Sequence, residues 1–149
     1  DKNNYKKCKK YLNTFCKSTY NFGDVSKASS AKLLSNFLSL ITTTSVIEFF
    51  KSAKKLNINI KLLCDVAKLG SGNSGALERI ADKAIKGNYK GYVFSVDNTY
   101  KDLSYINDLV KDLPNASKLS NLTKSFYKNA SKRGLGNLLV SELIDKDKY

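Results

Sequence analysis

Apolar residues recur at spacings of three and four along most of the chain, a pattern that indicates amphipathic helices rather than strands. The first apolar stripe runs through residues 5–20, includes Phe15, and ends at the turn-forming cluster 21–24. We expect this stripe to pack in the core. A second stripe occupies residues 29–41. We expect the threonines at 42–44 to interrupt it. Ser45 and Glu48 then predict a capping box, in which each side chain satisfies a free backbone amide of a new helix.

The rest of the chain continues the helical pattern and contains one strand-like segment. Residues 56–60 alternate between apolar and polar positions, which favours an extended connector. The segment from Tyr89 to Val96 is rich in aromatic and β-branched residues, but a lone strand has no partner, so we predict at most a minor strand there. Gly70 is expected to take the left-handed conformation of a helix C-terminal cap. The helices predicted here lie at 60–69, 76–85, 99–113, 119–133 and 135–143.

These elements predict an all-α fold, a compact bundle of about seven short helices in a single domain that spans residues 1–149. The glycine-rich segment 70–75 is the candidate border between two sub-bundles. Its letters spell G-x-G-x-x-G, the spacing of a dinucleotide-binding loop, but such a loop follows a strand, and the preceding segment has a helical pattern. We therefore interpret it as a flexible loop between helices and expect no cofactor.

The absence of histidine bears most directly on function. Histidine is the commonest general base and metal ligand near neutral pH, so its absence argues against hydrolytic triads and zinc sites. The cysteines show no C-x-x-C spacing that would hold a metal. The few glutamates occupy polar helix positions where capping or solvent exposure accounts for them. We therefore predict no catalytic residue, no metal ligand and no enzymatic activity.

The chain is strongly basic, with a net charge of +13 that comes almost entirely from lysine. Arginine, whose planar fork suits phosphate recognition, is nearly absent, which argues against nucleic acid as a partner. Lysines around the first helix favour attraction to an acidic protein or other acidic macromolecule and leave peripheral contact with an anionic membrane open. The candidate binding surface consists of Lys6, Lys9, Lys10, Lys17, Tyr89, Tyr92, Tyr100 and Tyr105.

Several features favour an extracellular, secreted protein. The chain begins with Asp1 rather than methionine, and it contains three Asn-x-Ser/Thr triplets. We expect no transmembrane segment, because no uninterrupted apolar run reaches the roughly 18 residues that a span needs. The candidate glycosylation sites are Asn115, Asn121 and Asn129.

An odd number of cysteines predicts one disulfide and one remaining thiol in that setting. Cys8 and Cys16 lie eight residues apart on one predicted helix, about 12 Å along its axis, which is too far for a direct bridge. A disulfide of Cys64 with Cys16 or Cys8 follows. The third thiol is then either buried or the link of a homodimer.

The leading hypothesis from the sequence is a secreted, non-enzymatic helical protein that acts by binding an acidic protein or another macromolecule. One alternative is a structural or assembly module cross-linked through the odd cysteine. The other is a carrier of a hydrophobic small ligand, built on the tyrosine-rich segment.

Overall fold

A computed structural model describes residues 2–146, the side chain of Lys2 excepted, and confirms the all-α prediction. Within that range, six α-helices are followed by a π-helical turn and a 3-10 helix. In chain order they are α1 (Lys2–Leu12), α2 (Val25–Lys55), α3 (Ile60–Leu69), α4 (Gly75–Ala84), α5 (Val96–Leu109), α6 (Pro114–Ala130), the π turn (Ser131–Leu135) and the 3-10 helix (Val140–Asp145).

The chain divides into two compact units, one up to Ser35 and the other from Asn36 onward, and the division falls within α2. In the second unit α5 packs on α6, α3 packs on α4, and the π turn contacts both α5 and α6. Its core contains Ile47, Phe50, Ile80, Leu103, Ile106 and Tyr127, all almost fully buried. The removal of such side chains from water is the main stabilising contribution to folding. The assignment of residues 1–149 to one domain with a border at 70–75 stays a prediction.

Helix α2 is continuous for 31 residues, so the predicted interruption at residues 42–44 is wrong. Thr43 and Thr44 are buried, and each donates its hydroxyl hydrogen to the carbonyl oxygen four residues earlier at 2.8 Å. This bond satisfies the polar group inside the helix. Ser45 makes the same kind of bond to Ile41 at 3.1 Å, and the capping box predicted from Ser45 is therefore absent.

By length and composition, α2 could also cross a membrane. The core helix of a soluble protein meets the same criterion, so the test alone is weak evidence. The part of α2 from Leu40 to Ala53 contributes seven buried residues. We interpret residues 40–53 of α2 as a core segment on that ground.

Helix α1 ends at Leu12, although the apolar stripe predicted a helix to residue 20. The Tyr5 hydroxyl donates to the Thr19 carbonyl oxygen at 2.9 Å, which ties the segment after α1 back to this helix. Phe15, which the stripe placed in a core, is 75% exposed. The spacing therefore identified a helix but not its end or its buried face.

The strand-like segment pairs with the C-terminal region instead of forming a sheet. Ser95 and Leu139 form an isolated antiparallel bridge. Backbone hydrogen bonds of 2.9 Å flank it on both sides. Residues 89–97 and 136–141 together are called the clasp below.

Candidate functional site

A cavity of about 300 Å³ opens within the second unit, bordered by α2, α4 and the clasp. Its size is at the lower end of the range for small-molecule sites, so it has room for a small ligand. The lining residues are Asn36, Ser39, Leu40, Arg79, Gly91, Tyr92, Val93 and Phe94.

A hydrogen bond between two helices fixes one wall of the cavity. The amide nitrogen of Asn36, on α2, donates to a carboxylate oxygen of Asp102, on α5, at 2.9 Å. Asp102 is buried, and the ammonium group of Lys101 lies 3.9 Å from its other oxygen. Because the amide nitrogen is a donor and the carboxylate oxygen an acceptor, this contact sets the orientation of the amide. Within residues 2–146 the side-chain oxygen of Asn36 has no hydrogen-bond donor, so it can accept a hydrogen bond from a ligand.

A pair of hydroxyl groups lies along the same cavity. The hydroxyl oxygens of Ser39 and Tyr92 are 2.8 Å apart. The backbone amide of Tyr92 donates to the Ser141 hydroxyl at 3.0 Å, so the clasp holds Tyr92 in position. Each hydroxyl can donate and accept, and the pair can therefore bind an alcohol or a carboxylate.

The glycine-rich segment 70–75 does not contribute to this cavity. It connects α3 to α4, and Ser74 caps α4 by accepting a hydrogen bond from the Leu77 amide at 3.1 Å. Gly70 has extended backbone angles, not the left-handed conformation that we predicted. Residues 2–146 contain no strand before this loop, so the G-x-G-x-x-G spacing lacks the strand–loop–helix setting of a dinucleotide site.

Comparison with known proteins decides the family. The family described as "NAD-binding of NADP-dependent 3-hydroxyisobutyrate dehydrogenase" matches residues 26–145. The chain belongs to this dehydrogenase family. It is 26% identical over 126 residues to L-threonate dehydrogenase of Haemophilus influenzae. The aligned region covers 84% of this chain and 42% of that enzyme. The chain therefore spans less than half the length of this relative.

A solved structure confirms the fold. The crystal structure of 3-hydroxyisobutyrate dehydrogenase (ygbJ) from Salmonella typhimurium is similar with a TM-score of 0.83 and 23% sequence identity. The match covers 95% of this chain and 50% of that one.

Membership of a dehydrogenase family overturns the functional predictions. The prediction of a non-enzymatic binding protein is wrong, and so is the prediction that the chain has no enzymatic role. The physical error lay in treating the lack of histidine as evidence against catalysis. Amide, carboxylate, hydroxyl and guanidinium groups can bind and orient a polar substrate without histidine.

The predicted disulfide of Cys64 with Cys16 or Cys8 is also wrong, because all three cysteines are free thiols. Cys64 is fully buried on α3, where it packs as a small core residue. That burial raises the pKa of the Cys64 thiol and keeps it protonated. Cys8, by contrast, is exposed on α1.

We expect iodoacetamide to label Cys8 in the folded protein and to leave Cys64 unlabelled until denaturant is added. The thiolate is the reactive form. Cys64 can react only when α3 opens locally, and because such opening is rare we expect its labelling to be slower by a factor on the order of 100 or more. Mass spectrometry of peptides labelled with and without guanidinium measures both rates. Equal rates at Cys8 and Cys64 in native buffer would contradict the buried position.

The predicted binding-surface residues do not form the cavity, with one exception. Tyr92 lines the cavity, as described above. The Lys54 ammonium lies over the ring of Tyr89, 4.8 Å from the ring centre. Tyr100 is half-buried, and Tyr105 is exposed on α5. The predicted lysines all belong to the first unit and are exposed there: Lys6, Lys9, Lys10 and Lys17.

Other expectations stay predictions. Asn115, Asn121 and Asn129 are exposed on α6, and no observation tests their glycosylation. The acidic partner, contact with an anionic membrane, a homodimer and the extracellular location are likewise untested.

Sequence reasoning missed the residues that shape the cavity, namely Asn36, Ser39, Arg79 and Asp102. The one local signal was the spacing of Asn36 and Ser39, which places two polar groups on one face of α2. Asp102 is 66 residues from Asn36, and their contact has no local signature.

Proposed function

We propose that the chain is the helical part of an NAD- or NADP-dependent dehydrogenase that oxidises a small hydroxycarboxylate. The observation that carries the proposal is the polar cavity beside the Asn36–Asp102 pair, in a chain of this dehydrogenase family. The family description and the Haemophilus relative name 3-hydroxyisobutyrate and L-threonate. Both compounds are carboxylates that carry an alcohol, and this shared chemistry supports the substrate class.

The size and polarity of the cavity support a ligand of this kind. A volume of about 300 Å³ accommodates a small hydroxy acid but not a nicotinamide dinucleotide, which is several times larger. The described residues also lack the strand that must precede a glycine loop for that loop to hold a pyrophosphate. They therefore do not fit the whole cofactor, and we assign them to the substrate side of the site.

The polar groups of the cavity suit the two ends of such a substrate. The carbonyl oxygen of Asn36 accepts a hydrogen bond from the substrate alcohol, with the amide held in place by Asp102. The Ser39–Tyr92 hydroxyl pair offers a second contact that adapts to donor or acceptor. The apolar ring of Phe94 covers the carbon skeleton and keeps water from it.

An activity measurement tests this function. In a chimaera, the residues of Haemophilus L-threonate dehydrogenase that match this chain are replaced by the residues of this chain. With L-threonate or 3-hydroxyisobutyrate as substrate, the reduction of NAD⁺ or NADP⁺ is followed by the absorbance of the reduced nucleotide. We expect a saturable rate that Asn36→Ala lowers by about 10- to 100-fold, as for a lost hydrogen bond to a polar substrate.

Asn121→Ala is the matched control, because Asn121 is an exposed asparagine of α6 outside the cavity. We expect it to leave the rate unchanged. A folded chimaera that binds the nucleotide but oxidises neither hydroxycarboxylate would contradict the proposed function.

A further inference from the structure

One of the chain's two arginines lines the cavity and has no carboxylate partner within residues 2–146. Arg79 lies on α4 and borders the cavity beside Tyr92. The ion pairs found in that part of the chain, such as Lys54–Asp145 and Lys68–Asp82, use lysine. Arg79 is exposed, so its guanidinium group, without a carboxylate partner in that part of the chain, is available for an anion from outside.

The backbone around Arg79 is held closely against the clasp. A Cβ atom on Gly91 would lie 2.5 Å from the Arg79 carbonyl oxygen and 2.8 Å from the Ile80 Cα, so only glycine allows this approach. One helical turn after Arg79, the Lys83 ammonium donates to the Lys90 carbonyl oxygen at 3.2 Å. These contacts on either side keep Arg79 beside the clasp segment that contains Tyr92.

The two carboxylates that flank Arg79 on α4, and the carboxylate of Asp102 at the cavity wall, are engaged with other groups. Glu78 accepts a hydrogen bond from the Asn73 amide at 3.2 Å, and Asp82 pairs with Lys68 at 2.9 Å. Asp102 accepts from Asn36. The positive charge of Arg79 is therefore not neutralised by these groups, and the cavity favours an anionic ligand.

We propose that Arg79 binds the carboxylate of the cavity ligand through its guanidinium fork. The alcohol end of the ligand then lies toward Asn36 and the Ser39–Tyr92 pair. This inference rests on the proposed function, since that function supplies the hydroxycarboxylate class. Its new content is specificity: the cavity selects hydroxycarboxylates over neutral polyols of the same size, and Arg79 is the residue that makes the distinction.

Calorimetric titration of the chain with L-threonate and with neutral threitol tests this role. We expect the wild-type chain to bind L-threonate more tightly than threitol. Arg79→Gln should weaken L-threonate binding by about 10-fold and leave threitol binding unchanged, the fold-change expected for one charge-assisted hydrogen bond in a site open to water. The affinity of Arg79→Lys for L-threonate should lie between those of the wild-type chain and Arg79→Gln, because lysine keeps the charge but lacks the planar guanidinium fork.

Arg133→Gln is the control, because Arg133 is the chain's other arginine and lies outside the cavity lining. It should bind both ligands as the wild-type chain does. Two results would overturn the inference and leave the proposed function intact. One is undiminished L-threonate binding by Arg79→Gln, and the other is an equal loss of affinity for both ligands in that variant. Binding of neither ligand by the wild-type chain would also overturn the inference, whereas an inactive chimaera would overturn the proposed function itself.

Discussion

Replacing Phe50 by alanine is expected to lower the free energy of unfolding by about 3–5 kcal/mol. The Phe50 side chain is fully buried in the second unit, and its ring meets that of Phe49 edge-on with centroids 5.4 Å apart. Truncation removes this apolar burial and leaves a cavity that the neighbouring helices fill only partly. Because domains are stable by only about 5–15 kcal/mol, the loss is a large part of the total.

Urea denaturation followed by circular dichroism measures this loss, and Phe15→Ala provides the control. Phe15 belongs to the apolar stripe that the sequence analysis placed in a core, but it is 75% exposed. We expect Phe15→Ala to change the unfolding free energy by less than about 0.5 kcal/mol. Equal effects of the two substitutions would show that the buried face has been assigned wrongly.

The second large effect is expected from Gly91→Ala, which should destabilise the chain by about 3 kcal/mol, near the upper end for overpacking. The added methyl group would overlap backbone atoms of Arg79 and Ile80, which cannot rotate away as a side chain can. This overlap can be relieved only if the clasp moves away from α4. That movement would carry Tyr92 away from Ser39, so we expect ligand binding to weaken in the same variant.

Gly72→Ala is the matched control for this prediction. A Cβ atom at Gly72 meets nothing within 4 Å, and the residue lies in the loop before α4. We expect Gly72→Ala to be neutral or to stabilise by up to about 1 kcal/mol, through the unfolded chain. Thermal unfolding of both variants separates the two positions. If Gly91→Ala and Gly72→Ala unfold at the same temperature, the close approach of the clasp to α4 is not required for the fold.

The sequence predicted the helical class because that signal is local. Spacings of three and four residues identified the positions of α3 and α4 to within one residue. The continuity of α2 could not be read in this way. Thr43 and Thr44 disfavour a helix by intrinsic propensity, and only their burial together with bonds to earlier carbonyl oxygens makes them compatible with it.

The site was not predictable from local patterns for a different physical reason. Asn36 and Asp102 come together only when α2 and α5 pack, and neither residue has a distinctive sequence context. Missing histidine was also weak evidence against catalysis, since the chain covers about half of the dehydrogenase structure that it resembles. The low number of arginines likewise gave no indication that Arg79 would line a cavity.

We expect the cavity beside Asn36 and Asp102 to bind a hydroxycarboxylate. A two-dimensional ¹H–¹⁵N nuclear magnetic resonance titration of the chain with L-threonate reports such binding residue by residue. Saturable shifts are expected at Ser39, Tyr92 and Phe94, with no comparable change around the lysines of α1. Shifts confined to α1, or none that saturate, would contradict this expectation.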